Sequence, residues 1–245
     1  MAVPPVETYE TLDSTNAEAR RRAEAGEAGP VWILARKQTA GRGRRGRDWS
    51  TQNGNLAATL LTISPKPAAE AAQIGFVAAL AAADLAQTCI GPGAAALKWP
   101  NDLMVHGRKA AGILVESGAR SDGSLWLAVG IGVNLARAPT DVERPATAFA
   151  EHIAGPAPAP RDALDILARA FDHWRGVWER EGFAPIAAAW SQCAYGLGRP
   201  CEARLASGVL TGTAEGLDPD GALRLRLESG ETARITAGDV FFEEI

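Results

Sequence analysis

An α+β fold is predicted for this chain: strands and helices interspersed through about residue 196, then a small β-barrel over 197–245. Three observations predict it. Strand-like runs alternate with segments of helical spacing along the first four-fifths of the chain. One of those segments, "DALDILARAFDHWRGVWERE", brings Leu164, Leu167, Phe171, Trp174 and Trp178 round every three or four residues, the stripe of a helix packed on a core. From about Leu197 the pattern becomes short strands cut by Gly, Asp-Pro and Ser-Gly turns roughly ten residues apart, the spacing of a small barrel.

The elements follow in order. "VETYETLD" reads as a first strand, and "STNAEARRRAEAG" as a helix, with Thr15 and Glu18 forming a capping box and Gly26 ending it. "PVWILARKQ" and "NLAATLLTI" are strands on either side of an arginine-rich loop. "PAAEAAQIGFVAALAAADLAQ" is one long helix, rich in alanine, with Ile74, Val77, Leu80, Ala81 and Leu85 at helical spacing. Its apolar run is short for a membrane span and carries Asp84 and Gln87, so it reads as a buried helix. "AALKWPNDLMVHGRKAAGILVE" gives short strands broken at Pro100-Asn101-Asp102 and at Gly107, and "SLWLAVGIGVNL" is a further strand. "GPAPAP" (155–160) is a connector, and the helix containing Trp174 follows. The domain division this predicts is 1–196 and 197–245.

Composition excludes several classes. The net charge of −4 argues against a general nucleic-acid binder. Cys89, Cys193 and Cys201 have no CxxC spacing and read as free thiols of a reducing, cytoplasmic compartment. His106, His152 and His173 are scattered and suggest neither a metal site nor a catalytic triad. "MAVPPVETYE" lacks a basic segment followed by an apolar run, so no signal peptide is expected.

Against that acidic background stands "AGRGRRGRDWS" (40–50), with Arg42, Arg44, Arg45 and Arg47 among Gly41, Gly43 and Gly46. Gly41-x-Gly43-x-x-Gly46 matches a dinucleotide fingerprint in form. That motif needs a helix opening at the glycines, and the turn-rich "RDWSTQNGN" follows instead. What remains is a solvated loop, a nucleic-acid arm, or a flexible clamp on an anionic ligand. Guanidinium forks suit phosphate and carboxylate, and glycines let backbone N–H groups approach them. Four like charges in six residues predict a loop held open by repulsion until an anion orders it.

"DSTN" (13–16), "QTAGRGRRGRDW" (38–49), "KWPNDL" (98–103), "GRKAAGILVE" (107–116) and "GIGVN" (130–134) occur in this order and together resemble the catalytic core of biotin protein ligases; the C-terminal block resembles that family's SH3-like domain. The resemblance implies a mixed sheet flanked by helices and a two-step reaction. Biotin and ATP-Mg2+ give biotinyl-5′-adenylate and pyrophosphate. A lysine of a biotin carboxyl carrier protein or domain then takes the biotinyl group and AMP leaves.

Carried over motif by motif, the resemblance implies these roles. Ser14, Thr15 and Asn16 face the biotin head, the alternative being that the hydroxyls only cap the helix. Gln38 is a further polar contact to biotin. Gly41, Arg42, Gly43 and Arg44 belong to the loop over the ligand, with Arg44 on the adenylate phosphate; Arg45 and Arg47 divide between the site and solvent. Trp49 is a lid stacking on adenine, or a plain core tryptophan. Lys109 is the key lysine near carboxylate and phosphate, catalytic together with Arg42 and Arg44. Gly112 allows close backbone approach, or marks a bulge. Lys98, Asn101 and Asp102 are nucleotide, metal or turn-forming residues, and Asn134 is a nucleotide-side contact. Metal ligands stay unassigned. "RPATAF" (144–149) loosely resembles a threonine-containing segment of the family.

Bifunctional members carry a winged helix-turn-helix ahead of "STN". Only thirteen residues precede Ser14 here, which implies a monofunctional ligase without DNA binding; no membrane association is expected, since the most apolar stretch reads as a buried helix. A homodimer is expected by analogy. The rivals are a lipoate ligase or transferase, whose Ser-Gly-Gly-rich segment is absent; a nucleic-acid module using "RGRRGR"; and a non-catalytic biotin binder.

Overall fold

The computed structural model describes residues 3–140, 142 and 145–242. Seven strands form one sheet: β1 (Val6–Leu12), β2 (Val31–Gln38), β3 (Leu56–Ser64), β4 (Ala95–Lys98), β5 (Asp102–Val105), β6 (Arg108–Ala119) and β7 (Leu125–Val133). Their order is β1-β2-β3-β7-β6-β5-β4. β1 and β2 run parallel, because helix α1 (Thr15–Glu24) crosses between them, and the other pairings are antiparallel. The sheet is therefore mixed.

Alternation along the central strands gives the sheet two different faces. Trp32, Leu34, Leu60, Val129 and Ile131 point to the larger core, where helices α3 (Ile74–Cys89) and α4 (Pro160–Glu181) cover them. Trp32 meets Phe171 of α4 edge-on at 5.7 Å. Ile33, Leu61 and Ala128 point the other way, against Ala19 and Ala23 of α1. This second cover is short, and the sheet beyond it is where the cleft lies.

The long helix expected over 67–87 is two: α2 (Ala68–Ala71) and α3, joined by a tight turn in which Gly75 and Phe76 donate to the carbonyls of Ala72 and Gln73. The side chain of Gln73 accepts from the Trp178 indole at 3.0 Å. Ala68–Cys89 is long and apolar enough by composition to cross a membrane, yet Val77, Ala78, Leu80, Ala81 and Leu85 are buried in the larger core. Helix α5 (Phe183–Gln192) has no counterpart among the expectations. Pro185 reads as a breaker, but it sits in the first turn, where no intrahelical N–H bond is needed. Phe183, Ile186 and Trp190 are its buried stripe.

Strands β8 (Pro200–Leu205), β9 (Gly208–Leu217), β10 (Leu223–Arg226), β11 (Thr232–Ile235) and β12 (Asp239–Phe242) form an antiparallel sheet ordered β11-β10-β9-β8-β12. Its inner residues Ala203, Ala214, Leu225 and Val240 are continuous with the larger core. The Trp99 indole donates to the Gly221 carbonyl at 3.1 Å and ties the two sheets together.

Candidate active site

On the α1 face, the middle of the large sheet carries small residues: Ala57 on β3, Gly130 and Gly132 on β7, and Gly112 on β6. A cleft of about 490 Å³ opens over them, walled by the start of α1 and by the arginine loop. Of the residues expected at a site, Ser14, Thr15, Asn16, Gln38, Arg42, Gly43, Arg44, Trp49, Asn101, Lys109, Gly112 and Asn134 line it. Gly41, Lys98 and Asp102 do not.

The expected capping box is not formed. Ser14 is the N-cap residue and makes no side-chain cap bond. Thr15 lies inside the helix, and the Glu18 carboxylate pairs with Arg21 and Arg22. The hydroxyl of Thr15 goes to the floor of the cleft, 2.7 Å from that of Thr59 and 3.1 Å from Gln38 Oε1. Gln38 also accepts from the Thr15 backbone N–H at 2.8 Å and donates to Thr51 at 3.0 Å. Asn16 is buried, and its amide is fully engaged. Nδ2 donates to Glu116 at 2.7 Å and to the Leu114 carbonyl at 3.3 Å, and Oδ1 accepts from Thr59 at 2.7 Å. A Cβ on Gly130 would overlap that Oδ1, so the glycine makes the seat for Asn16.

The arginine loop is folded, contrary to the open loop expected from its charge. A short 3-10 turn, Arg44–Gly46, and a bridge between Arg42 and Asp48 shape it. Repulsion is offset by Asp239 at the start of β12, which lies 3.8, 3.4 and 3.0 Å from the guanidinium nitrogens of Arg44, Arg45 and Arg47. Arg45 and Arg47 are half exposed yet paired. Arg44 also donates to Asn101 Oδ1 at 3.3 Å and to the Gly238 carbonyl at 3.2 Å. Burial lowers its pKa, Asp239 opposes that, and Arg45 adds to it; a guanidinium stays charged regardless. Trp49 lies on the cleft floor, its indole over Gly132 and Gly112 and 5.7 Å from the Lys109 ammonium. Gly41 serves packing, since a Cβ there would meet the Trp49 carbonyl and the Gln38 amide.

Lys109, near the start of β6, holds its ammonium 2.5 Å from Asp102 Oδ1, across a register shift in the β5–β6 ladder. Asn101 closes the turn before β5 by donating to the Ile113 carbonyl at 2.8 Å. Lys98 points elsewhere: its ammonium lies 5.8 and 6.0 Å from the rings of Phe241 and Phe242. Asn134 is buried and donates to the Thr147 carbonyl at 3.1 Å, holding the segment that bridges to Lys109. Arg144 of "RPATAF" lies outside the described residues. No group of three His, Cys, Asp or Glu side chains among the described residues is arranged to hold a metal.

Thr59, Glu116, Gly130, Gly132 and Asp239 belong to the arrangement without having been expected in it. The first four had a faint signal. Thr59 is a lone polar residue at the register of Ala57 and Leu61, Glu116 closes "GILVE", and the glycines of "GIG" share one face of a strand. Asp239 had none, for its partners lie more than 190 residues away.

Residues 9–134 match the model of the biotin/lipoate A/B protein ligase family, and residues 196–243 that of the biotin protein ligase C-terminal domain. The chain is 47% identical over 235 residues to the biotin–[acetyl-CoA-carboxylase] ligase of Paracoccus denitrificans, covering 94% of this chain and 97% of that protein. It is 30% identical to the bifunctional ligase/repressor BirA of Bacillus subtilis, covering 91% of this chain and 69% of the relative. In structure it resembles the biotin protein ligase of Aquifex aeolicus in complex with biotin and ATP, with a TM-score of 0.82, 26% identity, and coverage of 98% and 99% of the two chains.

Proposed function

The chain belongs to the biotin/lipoate A/B protein ligase family and within it is a biotin protein ligase, and from that premise we propose how its cleft does the chemistry. Biotin is activated by ATP to biotinyl-5′-adenylate, and the biotinyl group passes to a lysine of a biotin carboxyl carrier protein. In the first step a biotin carboxylate oxygen attacks the α-phosphorus and pyrophosphate leaves. Two anions meet there, so positive groups must offset their repulsion and the charge growing on phosphate. Positioning and fixed electrostatics suffice, with no protein nucleophile. In the second step the unprotonated carrier amine attacks the acyl carbon and AMP leaves.

The observation that carries this reading is that the cations Arg42, Arg44 and Lys109 line the same cleft as the polar set Ser14, Thr15 and Gln38. The polar set takes the biotin head. Lys109 and Arg44 lie where carboxylate and phosphate meet. Trp49 offers its ring to adenine, Gly43 lets the loop backbone approach the phosphates, and Gly112 leaves room for Trp49. Asn101 and Asn134 act at the nucleotide side by holding Arg44 and the 145–149 segment. Asp102 holds the Lys109 ammonium in place from outside the cleft lining, and the Mg2+ that accompanies ATP needs few protein ligands. Gly41 and Lys98 support the fold of the site.

The finer assignments are these: residues 1–196 as catalytic unit and 197–245 as C-terminal unit, a cytoplasmic protein with free thiols, a homodimer, and no DNA binding. The test is ATP-dependent transfer of biotin to a purified carrier domain, with lipoate in parallel. Pyrophosphate release with biotin and label on the carrier are expected. Release with lipoate alone would overturn the reading.

A further inference from the structure

The polar floor of the cleft is one chain of four groups: Gln38 Oε1, the Thr15 hydroxyl, the Thr59 hydroxyl and Asn16 Oδ1, separated by 3.1, 2.7 and 2.7 Å. Both ends can only accept. Asn16 cannot turn its amide round, because its nitrogen faces the Glu116 carboxylate and the Leu114 carbonyl, two acceptors. Gln38 cannot turn either, because its oxygen faces the Thr15 backbone N–H. Two hydroxyls therefore supply two protons for three gaps. Asn16 Oδ1 takes the Thr59 proton. Thr59 is wholly buried, so its oxygen finds its only partner in Thr15, which must donate to it. The longest gap, between Thr15 and Gln38, is left without a proton, and it lies where both residues line the cleft.

We infer that Glu116, acting through Asn16 and Thr59, sets the direction of this chain so that Thr15 Oγ1 and Gln38 Oε1 together present an acceptor pair, and that the ligand must bring an N–H donor to it. This rests on the reading of the cleft as the biotin site, and it assigns the donor to one ureido N–H of biotin. Glu116 and Thr59 are positioning residues. Neither lines the cleft, and both act on recognition through Asn16 and Thr15. The chain rejects a ligand that offers only lone pairs there, because two acceptors, the buried Thr15 hydroxyl and the half-buried Gln38 oxygen, would then face a third.

The experiment is equilibrium binding of biotin and of its two cyclic carbamate analogues, each with one ureido N–H replaced by ring oxygen, to the full chain and to Glu116→Gln, Thr59→Val and Thr59→Ser. Wild type should bind one carbamate isomer about a hundredfold or more weaker than biotin, as sites built for a donor reject analogues lacking it. Glu116→Gln replaces the stronger of the two acceptors that hold the Asn16 amide with a group that can also donate, and leaves only the 3.3 Å bond to the Leu114 carbonyl against its turning; where the amide turns, Thr59 can donate to Thr15 and Thr15 to Gln38. Biotin affinity should fall about tenfold, the value of one hydrogen bond, and the preference over that isomer should shrink by a similar factor. Thr59→Val should do the same and Thr59→Ser should restore wild-type behaviour. A merely structural role would weaken all three ligands alike and leave the ratio unchanged. Discrimination retained in Glu116→Gln and in folded Thr59→Val, or absent in wild type, overturns the inference. Wild type that takes up no biotin overturns the reading of the site on which it rests.

Discussion

Lys109 and Asp102 show what a single pair does in the site. The ammonium is partly exposed and the carboxylate nearly buried, so removing the lysine strands a charge while removing the acid frees one. Lys109→Ala should lower the rate of pyrophosphate release about a hundredfold, the loss of one well-aimed charge, or about 3 kcal/mol. Asp102→Asn should lower it less, because the ammonium stays but is no longer aimed. The double variant should be no slower than Lys109→Ala, since both changes act through one group. Single-turnover pyrophosphate assays on the four proteins check this; additive losses would separate the two residues. The resemblance singled out both positions, but not their contact, which depends on the register shift that brings neighbouring strands' side chains together.

At the scale of elements, β7 shows what was legible and what was not. The stretch "SLWLAVGIGVNL" was legible as a strand. That Gly130 seats Asn16 and Gly132 seats Trp49 depends on α1 and the arginine loop, two elements that come in from far along the chain. The same holds at the start of α1, where a local capping pattern lost to long-range bonds with Gln38, Thr59 and Glu116. Helix α5 was hidden by a proline whose harmlessness depends on its place in the turn. The glycines can be separated by substrate. Gly130→Ala displaces Asn16 and should raise the KM for biotin about tenfold or more, with ATP little affected. Gly132→Ala pushes the indole off the floor and should raise the KM for ATP more than that for biotin. Equal effects on both substrates from either variant would contradict the division of the cleft into a head-group side and a nucleotide side.

At the scale of the whole molecule, the C-terminal sheet supplies the counter-charge for the arginine loop, which sequence charge alone had read as open. Arg44, Arg45 and Arg47 converge on Asp239, while Lys98 lies against Phe241 and Phe242 of the same strand. Charge number was legible in the sequence; the neutralising partner was not, because pairing across the chain is set by how the two sheets dock. Without Asp239 three guanidiniums would face one another with only the Gly238 carbonyl and Asn101 holding Arg44. Asp239→Ala should therefore open the loop, and trypsin, which cuts after arginine, reports it directly. Cleavage at Arg44, Arg45 and Arg47 should speed up severalfold at protease levels that leave the rest of the chain intact, with the melting temperature shifted by only a few degrees. Asp220→Ala, which removes an exposed partner of Arg234 within the same sheet, should leave the rate unchanged. Biotin with ATP should protect the loop in both wild type and Asp239→Ala, because the phosphates then supply the anion. If Asp239→Ala is cut no faster than wild type, the carboxylate is not what holds the loop; if ligands fail to protect it, the arginines do not bind them.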